Sequence, residues 1–305
     1  MAGGSVPPTG AVPPAAAVLA GGATAPRRGR VALTGAAGSL GSDVVPGLLE
    51  LGYELVCIDQ RAPEEPAGGT WVRASVNDRP ALAEAMTGCD AVVHLAGIPL
   101  EDDWEPLMTA NIDGTQAVLE TARRLGVGRA VLASSIHAAG FVPVPPDGAR
   151  VPDDVAVRPN TFYGVTKAAV EALGSLYHDR HGINVVCLRI ASRQPRPTDT
   201  RMLSTWLSPA DAVRLLDAAL SPAAAGFRII WGVSANTRGY LSPEGGAAIG
   251  FRPEDDAEAW APELLAARDT PSPGTTDWNA HLIGGVFCSP EPPRFRPPTI
   301  DGPAR

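Results

Sequence analysis

The sequence predicts an α/β fold: a doubly wound parallel sheet with a small C-terminal substrate-binding cap. Three observations carry that prediction. Strand-like and helix-like runs alternate from about residue 30 to 190, the pattern of βαβ units with helices on both faces of a sheet. A glycine-rich turn separates the first strand from the first helix. After residue 190 the alternation loosens into Pro- and Gly-rich loops holding too few elements for a second large domain.

The elements follow in order. Arg30 to Leu33 is a short apolar run ending in glycine-rich sequence, and Leu40 to Leu51 has helical apolar spacing. Glu54 to Asp59 reads as a second strand and Trp71-Val72 as a weak third. Pro80 to Met86 reads as a short helix opening on proline, which the first turn tolerates. Ala91 to Leu95 is a fourth strand, Trp104 to Leu125 one long helix, and Ala130 to Ser134 a fifth strand. Tyr163 to Arg180 is a helix and Asn184 to Arg189 a sixth strand. Beyond them lie a helix at Ser208 to Leu220, a strand at Phe227 to Gly232 and a helix at Asp255 to Ala267.

This gives a disordered extension over 1–28, a Rossmann-type domain over 29–190, a small substrate-binding region over 191–288, and a Pro-rich tail over 289–305. Residues 1–28 lack the basic start and continuous apolar core of a signal peptide. Net charge of -8 offers no basic groove for nucleic acid. No run approaches the length of a membrane span, so no membrane partner is expected. Cys57, Cys89, Cys187 and Cys288 lack metal-ligand spacing, so no metal is expected; three of them sit in or beside apolar strand-like runs and read as buried free thiols of a cytoplasmic protein.

Thr34-Gly35-Ala36-Ala37-Gly38-Ser39-Leu40-Gly41 stands between the first strand and first helix. Glycines there permit a tight turn and close backbone approach to a pyrophosphate, and the helix N-terminus supplies free N–H groups. Three glycines alone are weak evidence; their place after a strand is what gives them weight. Asp59 ends the second strand, 18 residues past Gly41. A carboxylate there accepts from a ribose diol and repels a 2′-phosphate, which favours NAD as the cofactor over NADP. Arg61 nearby softens that preference.

The chain contains one lysine; its other twenty-four basic side chains are arginine. That lysine, Lys167, lies four residues after Tyr163, one helical turn away on the same face. Arginine serves for surface charge but not where a compact ammonium is needed. A tyrosine titrates near 10, so it needs a neighbouring positive charge to act as a base near neutrality. Lys167 is expected to lower the Tyr163 value and to bond a ribose, with Ser135 holding the reacting oxygen. Asn111, inside the long helix, is a candidate link in a proton relay because mid-helix asparagine is locally unfavourable.

These motifs, with His94-Leu95-Ala96-Gly97, Ser134-Ser135 and Leu188-Arg189-Ile190, resemble the extended short-chain dehydrogenases/reductases. Within them the likeness is to bacterial NAD-dependent uronate dehydrogenases. Its specific stretches are Arg201 to Trp206, Trp231 to Asn236, Gly250 to Pro253 and Asp256 to Ala259. The resemblance covers about residues 30 to 288. It implies oxidation of a uronic acid at C1 to an aldaric acid lactone, with Tyr163 taking the anomeric proton. It also implies cofactor contacts at Ser39, Leu40, Ser75, Val76, Leu95, Ala96, Gly97 and Ile190. Substrate contacts are implied at Ser135, Ile136, His137, Tyr163, Ser192, Arg201 and Pro99. A guanidinium at Arg201 suits a carboxylate, which it can bind with two parallel hydrogen bonds.

The sequence departs from that pattern at three places. Ile136 stands where those enzymes carry Asn, Pro99 where they carry Ser, and Ser75 where they carry an acid. Losing two polar contacts weakens binding of a hexuronate or signals a less hydroxylated substrate. Another oxidoreductase or epimerase of the same scaffold, acting on a carboxylated sugar or natural-product alcohol, is the alternative. A non-catalytic dinucleotide-binding protein would show a broken Ser/Tyr/Lys set, and this set is intact. The family is usually oligomeric, so a homo-oligomer is expected.

Overall fold

The computed structural model describes residues 28–146, 148–267 and 276–294. The expected N-terminal extension, apart from Arg28, and most of the expected tail lie outside the described residues. Among those described, seven strands form one parallel sheet in the order β3-β2-β1-β4-β5-β6-β9. Its strands are β1 (Arg30–Thr34), β2 (Glu54–Asp59), β3 (Thr70–Arg73), β4 (Ala91–His94), β5 (Arg129–Ser135), β6 (Asn184–Ile190) and β9 (Phe227–Gly232). A two-stranded parallel ribbon, β7 (Ser192–Arg193) with β8 (Trp206–Leu207), follows β6.

The helices are α1 (Ser39–Glu50), α2 (Arg79–Met86), α3 (Trp104–Leu107), α4 (Gly114–Leu125), α5 (Phe162–His181), α6 (Met202–Thr205) and α7 (Pro209–Leu220). Short ones follow at α8 (Glu244–Ala248), α9 (Ala261–Ala266) and α10 (Trp278–His281). The sheet strands are apolar nearly throughout because helices cover both faces. On one face Val44, Val45 and Leu48 of α1 and Leu215 and Leu216 of α7 pack on Leu33, Leu55 and Val93. On the other, Leu82 and Met86 of α2, Leu119 of α4 and Val170 of α5 pack on Val56, Val92 and Leu132.

Local signals placed most of these ends. Asp78 caps α2 by accepting from Ala81 N at 3.2 Å, and Ser208 caps α7 by accepting from Asp211 N at 2.9 Å. Gly126 and Gly182 close α4 and α5 in the left-handed conformation. Two expectations need correction. The single helix expected over Trp104–Leu125 is interrupted at Met108–Asp113 by a π-helical turn, in which Gly114 N bonds Thr109 O. The expected Asp255–Ala267 helix is a 3-10 turn at Ala257–Trp260 followed by α9. Pro262 at the start of α9 has no N–H to continue a helical ladder, so the two turns remain separate.

The strand order changes direction between β1 and β4, the switch point where ligands of such sheets lie beyond the carboxyl ends of the strands. β9 joins β6 in register Val185↔Phe227 to Ile190↔Gly232, so part of the chain after residue 190 completes the sheet itself.

Candidate active site

A cleft of about 750 Å³ opens at that switch point, lined by Gly35, Gly38, Asp59, Gln60, Arg61, Ser75, Val76, Leu95, Ala96 and Gly97 among others. The backbone there tolerates little more than hydrogen. Gly35 has φ +75°, and a Cβ on it would lie 2.6 Å from Ala96 N. A Cβ on Gly41 would lie 2.3 Å from Gly35 O, so Gly41 packs the helix onto the turn and does not line the cleft. Gly38 caps α1 without a side-chain bond, leaving first-turn N–H groups for a ligand. Asp59 Oδ2 accepts from Ala37 N at 3.0 Å and Oδ1 from Arg61 N at 3.1 Å, which fixes the carboxylate at the rim. This crowded turn, open helix end and rim carboxylate fit a dinucleotide.

Ser135, Tyr163 and Lys167 come together under the cleft, all buried. Ser135 ends β5, and its hydroxyl accepts from His137 N at 3.2 Å to cap the following 3-10 turn. Tyr163 lies in the first turn of α5, which Thr161 caps by accepting from Gly164 N at 2.8 Å. Lys167 donates to Ala133 O at 2.8 Å. Burial lowers its ammonium to about 8. The expected lowering of Tyr163 does not hold in the free chain: burial pushes its phenol up to about 12, and a hydrogen bond from Ser135 works against that rise. Desolvation of the phenolate outweighs the help it receives, even with Lys167 5.5 Å from the ring centroid.

Asn111 sits in the π turn with its side chain 1% exposed. Its Oδ1 accepts from Ile98 N at 2.8 Å, and its Nδ2 donates to Ile98 O at 3.1 Å and to Thr166 Oγ1 at 2.9 Å. The asparagine that is unfavourable in a helix thus clamps the Gly97-Ile98 turn to α5. π turns recur at functional sites because they swing such side chains off the helical ladder.

On the other side of Tyr163 stands His137, ring centroids 5.9 Å apart. Its Nδ1 pairs with Asn160 Oδ1 at 3.2 Å. Burial and then the charge of Arg201 lower it to about 3, so it is neutral. Arg201 Nη1 donates to Ser192 Oγ at 3.0 Å, and Arg201 also bonds Ile283 O. Ser192 shares a hydrogen bond with Thr205 Oγ1 at 2.8 Å. Arg201 lines a second cavity of about 650 Å³ with Asp199, Tyr240 and Asn279. Ile136, expected to face a ligand, is 1% exposed in an apolar cluster with Val142, Trp231 and Ile283. Pro99 is exposed in the loop after β4, and Ile190 packs against the core at the end of β6.

Sequence reasoning passed over several residues that hold this arrangement. Glu101 is buried and accepts from Tyr163 N at 2.9 Å, satisfying the N-terminus of α5. Glu171, one turn beyond Lys167, pairs through both oxygens with Arg189 of β6 at 2.8 and 2.9 Å and accepts from Ser134 at 2.6 Å. That buried pair locks α5 to the two strands under the site. Arg193 Nη1 bonds Ser39 Oγ at 2.6 Å across 154 residues of chain. None of these partners has a sequence spacing that announces it.

The chain matches the family described as "NAD dependent epimerase/dehydratase family" over residues 31–221. It is 35% identical over 259 residues to a uronate dehydrogenase of Agrobacterium fabrum, covering 85% of this chain and 96% of that one. A uronate dehydrogenase mutant from Agrobacterium tumefaciens, complexed with NAD, superposes at a TM-score of 0.77 with 35% identity, covering 85% of this chain and 97% of that chain. A glucuronic acid dehydrogenase from Chromohalobacter salexigens superposes at 0.78 with 33% identity, covering 85% and 96%. Sheet order, glycine turn and these likenesses agree: the chain belongs to the NAD-dependent epimerase/dehydratase family and is an NAD-dependent oxidoreductase of CH–OH groups.

Proposed function

We propose that this protein oxidises a uronic acid, galacturonate or glucuronate, at C1 of its ring form, giving an aldaric acid lactone. The observation that carries this reading is the burial of Ser135, Tyr163 and Lys167 together beside the neutral His137 and the Arg201–Ser192 pair. Gly35, Gly38, Ser39, Leu40, Gly41, Asp59, Ser75, Val76, Leu95, Ala96, Gly97 and Ile190 hold the cofactor in this reading. NAD, when bound, accepts the hydride that leaves C1.

The protein's own groups do the rest. Ser135 donates to the C1 oxygen and holds it beside Tyr163, whose phenolate takes the anomeric proton. Lys167, fixed by Ala133 O, bonds the cofactor ribose and places positive charge near that phenolate. Asn111 keeps the Gly97 turn and α5 in register. Arg201 releases Ile283 O to receive the substrate carboxylate, with Ser192 steadying its guanidinium. His137 and Ser192 contact the sugar. The Pro99 side chain offers it no hydrogen bond, and Ile136, packed in an apolar cluster, gives it none either.

The test is cofactor reduction with galacturonate and glucuronate beside galactose and glucose. Turnover confined to the acids is expected, and no turnover of either acid overturns the reading. A cytoplasmic, homo-oligomeric enzyme goes with it. The four buried free thiols support the first part, and the exposed Trp104, Phe162 and Leu176 support the second. Light scattering tests the assembly. No helix among the described residues is long and apolar enough to cross a membrane.

A further inference from the structure

The ribbon strand β7 is two residues long, and both side chains are committed. Ser192 accepts from Arg201 on the side of the second cavity. Arg193 instead reaches α1, where Nη1 donates to Ser39 Oγ at 2.6 Å and the guanidinium pairs with Asp43. The Arg193 side chain is only 9% exposed, and its Nε is buried without a hydrogen-bond partner among the described residues. A buried guanidinium with a spare donor is costly unless something completes its bonding.

It stands beside a helix end that has no acid in its own first turn. The N-terminus of α1 has no side-chain cap and no acid in its first turn, and Gly38 opens it toward the cleft. The helix end carries roughly half a positive charge. Asp43 balances the guanidinium from beyond the first turn of α1 and leaves the helix end itself without an acid. In a chain whose arginines mostly serve the surface, this one is carried inward to the glycine turn.

We propose that Arg193 is a diphosphate-binding residue: its guanidinium and the N-terminus of α1 together form the anion site for the dinucleotide. The proposal rests on the reading of the cleft as the NAD site and adds to it a cation that the glycine motif does not contain. Arg193 releases Ser39 Oγ and donates to a phosphate oxygen, keeping Asp43 as its counter-ion. Because Ser192 and Arg193 are adjacent, one short ribbon then anchors both the cofactor phosphates and the cation beside the sugar site.

The experiment measures dissociation constants by calorimetry for NAD, ADP-ribose and adenosine with the wild-type chain, Arg193→Met and Asp43→Asn. Thermal unfolding confirms that each variant is folded. Arg193→Met is expected to weaken NAD and ADP-ribose by about tenfold or more, the worth of a charge-assisted bond, and to leave adenosine unchanged. Asp43→Asn, which breaks the same ion pair, is expected to keep NAD affinity within about twofold. Unchanged NAD affinity in folded Arg193→Met overturns the proposal. So does an equal loss for adenosine, or an equal loss in Asp43→Asn, since either would make Arg193 a prop for the turn. A wild-type chain that fails to bind NAD overturns the cofactor site itself, a result distinct from the others.

Discussion

Lys167 holds its ammonium 5.5 Å from the centroid of the Tyr163 ring and fixes it there with a 2.8 Å bond to Ala133 O. The pocket around it is closed, and burial brings the ammonium down to about 8. A guanidinium is wider, planar and unable to shed its proton. Lys167→Arg, mild at any surface position of this arginine-rich chain, is therefore expected to lower kcat/KM by about a hundredfold or more. Steady-state kinetics on a variant of unchanged circular dichroism checks this. Retained activity removes Lys167 from the mechanism.

All four tyrosines are held above their ordinary value, Tyr53 and Tyr163 at about 12 and Tyr177 and Tyr240 upward by burial. The sign is that of a raised acid: below its pKa Tyr163 stays a neutral phenol, and a positive charge placed beside it brings the value down. Ultraviolet difference titration of the free chain should show no tyrosinate at pH 9. Adding NAD should produce one, and Tyr163→Phe should abolish it. The oxidation rate should rise with pH over the same range.

Arg201→Ala tests the carboxylate contact. A loss of tenfold or more in kcat/KM for uronates, about 1.4 kcal/mol, is expected, with most of it in KM. The neutral sugars should be spared. An unchanged rate on uronates takes Arg201 out of the site.

The Glu171–Arg189 pair is buried on both sides, at 4% and 1% side-chain exposure. Removing one partner strands a charge in the core. Arg189→Met should destabilise the chain by about 3–5 kcal/mol in denaturant unfolding, whereas the double change Arg189→Met with Glu171→Leu should recover most of that loss. Equal loss in single and double variants would show that packing, and not the stranded charge, sets the cost.

Burial holds His94 and His137 at about 3 in the folded chain, with Lys167 and Arg201 adding to the lowering. Unfolded, both titrate near 6.5. The depressed folded value means that stability is full above about 6.5 and declines as pH falls from there toward 3. Denaturant midpoints across that window should drop steadily, and His94→Gln should flatten the decline. His94 pairs through Nδ1 with Thr34 Oγ1 at 2.7 Å and through Nε2 with Thr115 Oγ1 at 3.1 Å, and a profile unaltered by His94→Gln would contradict the burial of a neutral imidazole between them.

Much of this was legible in the sequence because it is coded locally. β2 runs Glu54 to Asp59 as read, and α5 and α7 differ from the reading by a residue at their ends. Apolar spacing, caps and glycine positions act within a few residues, so a single segment contains its own evidence. The π turn at Met108–Asp113 escaped notice because Asn111 satisfies its amide through Ile98 and Thr166, partners that no helical period relates to it.

The sequence by itself determined the parallel sheet, the glycine turn between β1 and α1, and the pairing of Tyr163 with Lys167 on one helix face. Only the tertiary structure decided the state of those groups. Burial sets the Tyr163 phenol at about 12 and the Lys167 ammonium at about 8, and long-range folding brings Glu171 to Arg189 and Arg193 to Ser39. The reason is physical. Backbone sterics and side-chain period are fixed by neighbours in the chain, whereas desolvation and ion pairing depend on everything packed around a charge.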